Sequence, residues 1–507
     1  MRIARAVLLG TLIAGALAAA AGYIALTSSW GSDRVRRSMV GYLSDKFDAD
    51  VAIAEMSITL VPRLSIVGRG LTLTRRTDPA SGPFVTLENF TVGGTPLALF
   101  NRHVDVVSVD GFEFRLKKGN LKGRKGRRLP KHDVSIGEIS VRNGVFLILP
   151  NNPEKLPLQF DLEQVTLEDF AFDKPSRYRA RLTNPKPRGY IDSTGEVGPW
   201  DVDELRLTPV SGGYTFEDAD MSTIKGIGGR LDSTGKFDGH LERIRVVGVA
   251  AVPDFQLAMT KQPVKLETKF RATVDGTSGD TYLEAVDAVL GQSKIRATGS
   301  VTGAPKAKGR SVLLDVEVQQ GRLEDVLRLA VKGTRPPLRG ALTLRSAFDL
   351  PPGDEDVPQR LRLKGSFTIR GGQFTSDTVQ DKVDGLSRRG QGQPTNIEVQ
   401  NVLSTFGGAF SLGDGVLRLP RFQFRVRGST VDLSGTYRLK NETMDFAGTL
   451  ALDAPLSKTT TGFKSILLKA VDPLFRRGGV GTLVPIKIAG SVDKPEFGVQ
   501  VGKVFRR

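Results

Sequence analysis

The chain has 507 residues, 39% apolar and 25% charged, which excludes wholesale disorder and leaves room for two or more domains or one long repetitive body. It holds no cysteine, so disulfides and thiolate metal sites are ruled out. The net charge of +17 predicts attraction to anionic surfaces, and 57 glycines with 27 prolines favour many turns over long helices.

Ala6 to Leu26 is a run of 21 residues without charge, preceded by Arg2 and Arg5. As a helix it measures about 32 Å, enough to cross a bilayer core. It reads as a transmembrane anchor over 6–26 with residues 1–5 in the cytoplasm. A cleaved signal peptide is the competing reading, because Ala18 to Ala21 offers small residues for cleavage. Arg34, Arg36 and Arg37 follow the span closely and are candidates for the membrane surface. Within 27–48, Val35, Met39, Leu43 and Phe47 recur at four-residue steps, an amphipathic linking helix. It would either lie on the membrane or pack against the body that follows.

From about residue 50 the apolar period changes to two. "VSVDGFEFRL" alternates from Val107, "LRLKGSFTIRGGQF" from Leu361, "FQFRVRGSTVDLSGTYRL" from Phe422 and "MDFAGTLALD" from Met444. Each run reads as a strand with one apolar and one polar face. "DSTGEVGPW" (192–200), "DSTGKFDGH" (232–240), "RATGSVTGAPKAKG" (296–309) and "KIAGSVDKPEFG" (487–498) restate one phrase, expected at turns or bends of the sheet. Residues 117–131, "KKGNLKGRKGRRLPK", carry Lys117, Lys118, Lys122, Arg124, Lys125, Arg127, Arg128 and Lys131 and no acid. That segment reads as a solvated insertion in a hairpin or as a loop docking on a membrane surface or partner.

Three stretches break the strand pattern: 321–333, 379–392 and 462–475 have apolar residues at helical spacing, and such short helices would plug or cap a sheet. A β-helix is the competing fold, but its turns recur at a near-fixed period and these phrases do not.

The search for chemistry finds little. His103, His132 and His240 are far apart, with no HExxH, P-loop or nucleophile-elbow pattern. Glu324 with Asp325, and Asp354 with Glu355 and Asp356, read as helix-dipole and solvation positions. No enzyme, metal or cofactor is expected. With two Trp and seven Tyr, and no aromatic in the basic segment, nucleic acid is not an expected partner.

The phrase "RARLTNPKPRGYIDSTGEVGPW" (179–200) resembles one in the AsmA-like family of bacterial envelope proteins. So do "FTIRGGQFTSDTVQDKVDGLSRRGQG", the following "LSTFGGAFSLGDGVLRLPRFQFRVRGSTVDLSGTYRL", and the closing "KSILLKAVDPLFRRGGVGTLVPIKIAGSVDKPEFG" (464–498). The anchor followed by "VAIAEMSITLVPRLSIVGRGLTL" (51–73) is similar to how such chains begin. The resemblance implies a mainly β fold: an elongated antiparallel sheet curled into an apolar-lined groove, with a few short amphipathic helices. It implies β-groove domains over 49–310 and 311–507. It also implies a single-pass inner-membrane protein with most of the chain in the periplasm, serving phospholipid transport between the membranes and outer-membrane biogenesis. Phospholipid acyl chains, the inner membrane and outer-membrane or periplasmic proteins would be its partners. On that reading Phe367, Ile369, Phe422, Phe424, Val426, Phe446, Leu450 and Leu452 are the candidates for lining the groove. A periplasmic scaffold that carries no lipid is the alternative.

Overall fold

The structure is a computed structural model. It describes residues 32–47, 49–59, 64–95, 98, 103–117, 135–149, 157–200, 204–303, 309–333, 335–459, 481–491 and 494–499. The expected anchor at 6–26 and the helix at 462–475 lie outside these residues. Among the described residues no helix is long and apolar enough to cross a membrane.

About two thirds of the chain is strand. Residues 1–224, 230–250 and 272–279 form one compact unit, and residues 225–229, 251–271 and 280–507 form a second. In the first lie helix α1 (Ser32–Phe47) and strands β1 (Ala49–Thr59), β2 (Leu64–Arg75), β3 (Pro83–Gly94), β4 (His103–Lys117) and β5 (Ser135–Leu149). They are followed by β6 (Leu158–Phe170), β7 (Ser176–Pro185), β8 (Arg188–Val197) and β9 (Pro209–Asp220). The short β10 (Ile227–Gly228) precedes β11 (Arg230–His240), β12 (Arg243–Leu257) and β13 (Val264–Val274). The second unit continues through β14 (Thr281–Leu290), β15 (Ser293–Gly303), β16 (Arg310–Arg322), β17 (Leu338–Leu350) and β18 (Arg362–Phe374). It closes with β19 (Ser404–Gly413), β20 (Val416–Val426), β21 (Ser429–Arg438), β22 (Thr443–Leu452), β23 (Thr482–Ser491) and β24 (Pro495–Val499). Helix α2 (Leu323–Ala330) follows β16, and helix α3 (Asp377–Gly390) follows β18, where helical spacing predicts both.

Strands pair with their neighbours in sequence except around the short β10, which pairs with β12 while β9 pairs with β11; all the pairs named below are antiparallel but one. β4 runs parallel to β5, with His103 beside Ser135 and Lys117 beside Leu149. The expectation of a purely antiparallel sheet is corrected there, and so is the hairpin across 117–131: parallel strands cannot be joined by a tight turn. Of the basic segment only Lys117, the end of β4, is described.

Over β1–β6 of the first unit one face of the sheet is filled. Met39 and Leu43 of α1, four residues apart on one face, are fully buried against a core that includes Ile53, Leu71, Leu87, Phe90 and Phe170. Burying Phe90 alone is worth about 2–3 kcal/mol. Arg36 Nη1 donates to the Ile53 and Ala54 carbonyl oxygens at 3.2 and 3.1 Å, fixing α1 to β1. Of the two roles open to this helix, packing against the following body is the one seen.

The TG and AG glycines of the repeated phrases, Gly195, Gly235, Gly299 and Gly490, lie inside strands and not at turns. Gly195 sits within β8, and a Cβ there would fall 1.9 Å from the Ser211 carbonyl oxygen of β9. Outside those phrases, Gly448 within β22 is in the same position: a Cβ there would fall 1.8 Å from the Asp432 carbonyl oxygen of β21. Neighbouring backbones approach too closely at these points for any side chain, so glycine is required by contact and not by a turn.

Candidate apolar binding face

Directly opposed residues in an antiparallel sheet share a face, so the register turns alternation into continuous rungs. One rung runs Ala288, Ile295, Val318, Leu344, Phe367, Gly408, Phe422, Leu433, Gly448 and Ile486, crossing every strand from β14 to β23 without a polar residue. A second runs Leu283, Gly299, Leu314, Phe348, Leu363, Leu412, Leu417, Tyr437, Met444 and Gly490 across the same strands. A third, closer to the helices, joins Leu342, Ile369, Phe406, Phe424, Val431, Leu450 and Val484. At about 4.8 Å per strand, the ten-strand rungs are roughly 43 Å long.

All eight groove candidates fall on this face. Phe367 and Phe422 share the first rung, with ring centroids 6.4 Å apart. Ile369, Phe424 and Leu450 share the third. Val426 and Leu452 lie two residues further toward the helices, and Phe446 sits opposite Gly435 and Ile488. Phe406, which alternation did not single out, is central: its ring stands 5.0 Å from Phe424, 6.3 Å from Phe422 and 6.0 Å from Phe374. The pair Gly407-Gly408 beside it interrupts the apolar signal in sequence.

Burial varies across the face. Leu342, Ile369 and Phe406 are buried in one cluster with Leu323 of α2, against which Val326 and Leu327 also pack. From β20 to β23, Phe424, Leu433, Phe446, Leu450, Val484 and Ile486 are only half-buried. Half-burial of large apolar residues over successive strands leaves an accessible apolar strip, unlike the filled face of the first unit. At the strip's far side Tyr437 holds its hydroxyl proton above the usual tyrosine range, first through burial and then through the nearby Glu442 carboxylate.

The opposite face is ionic. Arg296 pairs with Asp287 at 3.1 Å and Arg345 with Glu317 at 2.8 Å. Hydrogen bonds from Gln319 and Arg345 hold the Glu317 carboxyl below the usual range. An open depression is lined there by Arg296, Asp315, Glu317, Arg345 and Lys364.

In the first unit the inner face of β7 to β11 carries hydroxyls. Ser193 Oγ donates to the Gly213 carbonyl at 3.0 Å and Ser233 Oγ to that of Val249 at 2.8 Å. Each serine proton is thereby used, so Tyr178 and Tyr214 donate to Ser193 and Ser233 at 3.0 and 3.2 Å. Nothing in the sequence pattern announced this pairing.

One carboxylate differs from its sequence reading, and a second was not singled out by it. Asp325, expected at a solvated helix start, is 6% exposed and accepts from Ser293 Oγ at 2.8 Å and Gln292 N at 2.9 Å. Asp384 is 3% exposed and accepts from Asn401 N, Val402 N and Gln380 Nε2 at 2.8–2.9 Å. Both tie a helix to strand ends. Among the described residues no group of three His, Cys, Asp or Glu is placed to hold a metal ion. His103 Nδ1 lies 2.8 Å from Ser135 Oγ.

Of the membrane-surface candidates, Arg36 is engaged with β1 and Arg37 is exposed on α1. Arg34 lies on α1 with its side chain outside the described residues, as do Lys118, Lys122, Arg124, Lys125, Arg127 and Arg128 entirely. Compared with known proteins, the chain matches no family profile, no curated protein and no solved structure.

Proposed function

We propose that this chain is a membrane-anchored periplasmic protein that binds phospholipid acyl chains in an apolar β-groove and assists phospholipid movement between inner and outer membranes. The observation that carries the reading is the set of apolar rungs over β14–β23, half-buried across its later strands and facing away from the ionic side. An acyl chain lying along a rung gains about 0.8 kcal/mol for each methylene removed from water. Ten such groups favour binding by on the order of 8 kcal/mol before the cost of immobilising the lipid. Recognition of this kind is spread over many side chains and needs no reactive group.

The test places a photoactivatable amino acid in the full chain, in cells, at Phe424 or Leu450 and at the polar-face positions Arg425 or Asp445. Phospholipid adducts at the first pair and not at the second are expected. Adducts to protein alone from the apolar positions would replace the lipid reading with a scaffold. Equal lipid labelling of both faces would overturn it too.

A further inference from the structure

The antiparallel registers bring one set of connections to the same end of the second unit's strands. These are the turn 258–263 before β13, the α2 segment after β16, the α3 segment after β18, the turn at 427–428, and residues 453–459 after β22. Gly291 N donates to the Lys265 carbonyl at 2.8 Å, placing the start of β13 beside the end of β14. Thr260 Oγ1 donates to the Leu329 carbonyl of α2 at 2.9 Å, which ties the first turn to that helix.

Exposed apolar side chains concentrate there. Met259 is 50% exposed, Val331 36%, Val379 38%, Ile397 78% and Leu403 62%. The described connections at the opposite end contain no exposed large apolar residue. Tyr282, Val289 and Leu313 of this unit are exposed too but lie within strands, whereas the five exposed large apolar residues on its described connections all fall at this one end. Their exposure is also held in place. Arg388 Nη1 donates to the Val399 carbonyl at 3.0 Å and Gln380 Nε2 to that of Val402 at 3.1 Å. With the Asp384 bonds to Asn401 N and Val402 N, these fix the backbone between Ile397 and Leu403.

Charge sorts the same way. The described connections at this end carry nine Lys or Arg against seven carboxylates, two of them the buried Asp325 and Asp384. Those at the opposite end carry three against six, including Asp354, Glu355 and Asp356. Apolar side chains presented among cations match the boundary of an anionic bilayer, where the former insert and the latter meet phosphate.

We infer that this helix-bearing strand end is a docking edge for an anionic phospholipid surface, with Met259, Ile397 and Leu403 entering the acyl boundary. The inference does not depend on the apolar face carrying lipid. The chain has no cysteine, so single-cysteine variants Ile397→Cys, Leu403→Cys and, at the opposite end, Asp414→Cys take one environment-sensitive fluorophore each. The labelled full chain is mixed with phosphatidylglycerol vesicles or with vesicles of phosphatidylcholine alone. Labels at 397 and 403 should shift to the blue on phosphatidylglycerol only and be quenched by nitroxide-bearing acyl chains, while the label at 414 does not respond. In the same labelled chain, replacing Lys332, Arg335 and Lys382 by Gln should weaken the response roughly a hundredfold in lipid concentration. Neutralising Asp354, Glu355 and Asp356 should leave it in place. Labels at 397 and 403 that remain as solvated as that at 414, or that respond equally to both lipids, would overturn the proposal. So would a response obtained only from an added protein.

Discussion

Replacing Phe406 and Phe446 by Ala, one at a time, distinguishes an accessible apolar strip from a sealed core. Phe406 is buried among Phe374, Phe422 and Phe424, so its removal leaves an enclosed cavity and forfeits three ring contacts. Such a change costs about 3–4 kcal/mol. Phe446 lies half-buried between Gly435 and Ile488. Its removal loses transfer free energy but encloses little empty space, so the cost is about 1.5–2 kcal/mol. Native-state hydrogen exchange of β18–β23 in delipidated full-length protein reads both values locally. Trp fluorescence does not serve, because Trp200, the described tryptophan, belongs to the first unit. A Phe446→Ala cost equal to that of Phe406→Ala would mean that β21–β23 are sealed, and the strip would not be available to a ligand.

Asp384→Ala leaves two backbone donors and one N–H of the Gln380 amide without their acceptor and should cost about 3 kcal/mol, seen as faster exchange across 377–403. Gly448→Ala drives a methyl group into the Asp432 carbonyl oxygen. At about 3 kcal/mol it should loosen the β21–β22 pair, whereas an Ala tolerated there with unchanged urea midpoint would refute the close approach. Leu43→Ala should release α1 from β1 at a similar cost, measured as selective loss of protection over 32–59. Tyr437 should ionise later than exposed tyrosines in an ultraviolet titration. Because its folded proton affinity is raised, its contribution to stability holds below the ordinary tyrosine range and is lost as pH rises through the folded value.

Alternation alone placed all eight groove candidates on a common face, because a period of two survives wherever strands stay regular. It could not say which face meets solvent: that depends on where α2 lies and on how Leu342 registers with Ile369 and Phe406. Phe406 was hidden by its flanking glycines. The parallel β4–β5 pair was hidden because alternation is identical in parallel and antiparallel strands. Asp325 read as a helix-start charge and Asp384 was not singled out, since their partners Ser293, Asn401 and Val402 are distant in sequence or supply only backbone donors. The glycines of the repeated phrase were legible as structural but not as interior to strands, because close approach between backbones leaves no side-chain pattern.

Pairing between strands that follow one another in sequence has a kinetic side. Six of the ten ladders from β14 to β24 close over connections of two to six residues, and the longest connection in that run has 29, so few contacts await a distant part of the chain. A chain delivered progressively from its N-terminus can add each strand to an edge already formed, with the newest strand always the growing edge. The β4–β5 pair is the exception, since its second strand must return past the full length of the first before it can join. Order of arrival would then limit assembly early in the chain and hardly at all across the apolar rungs.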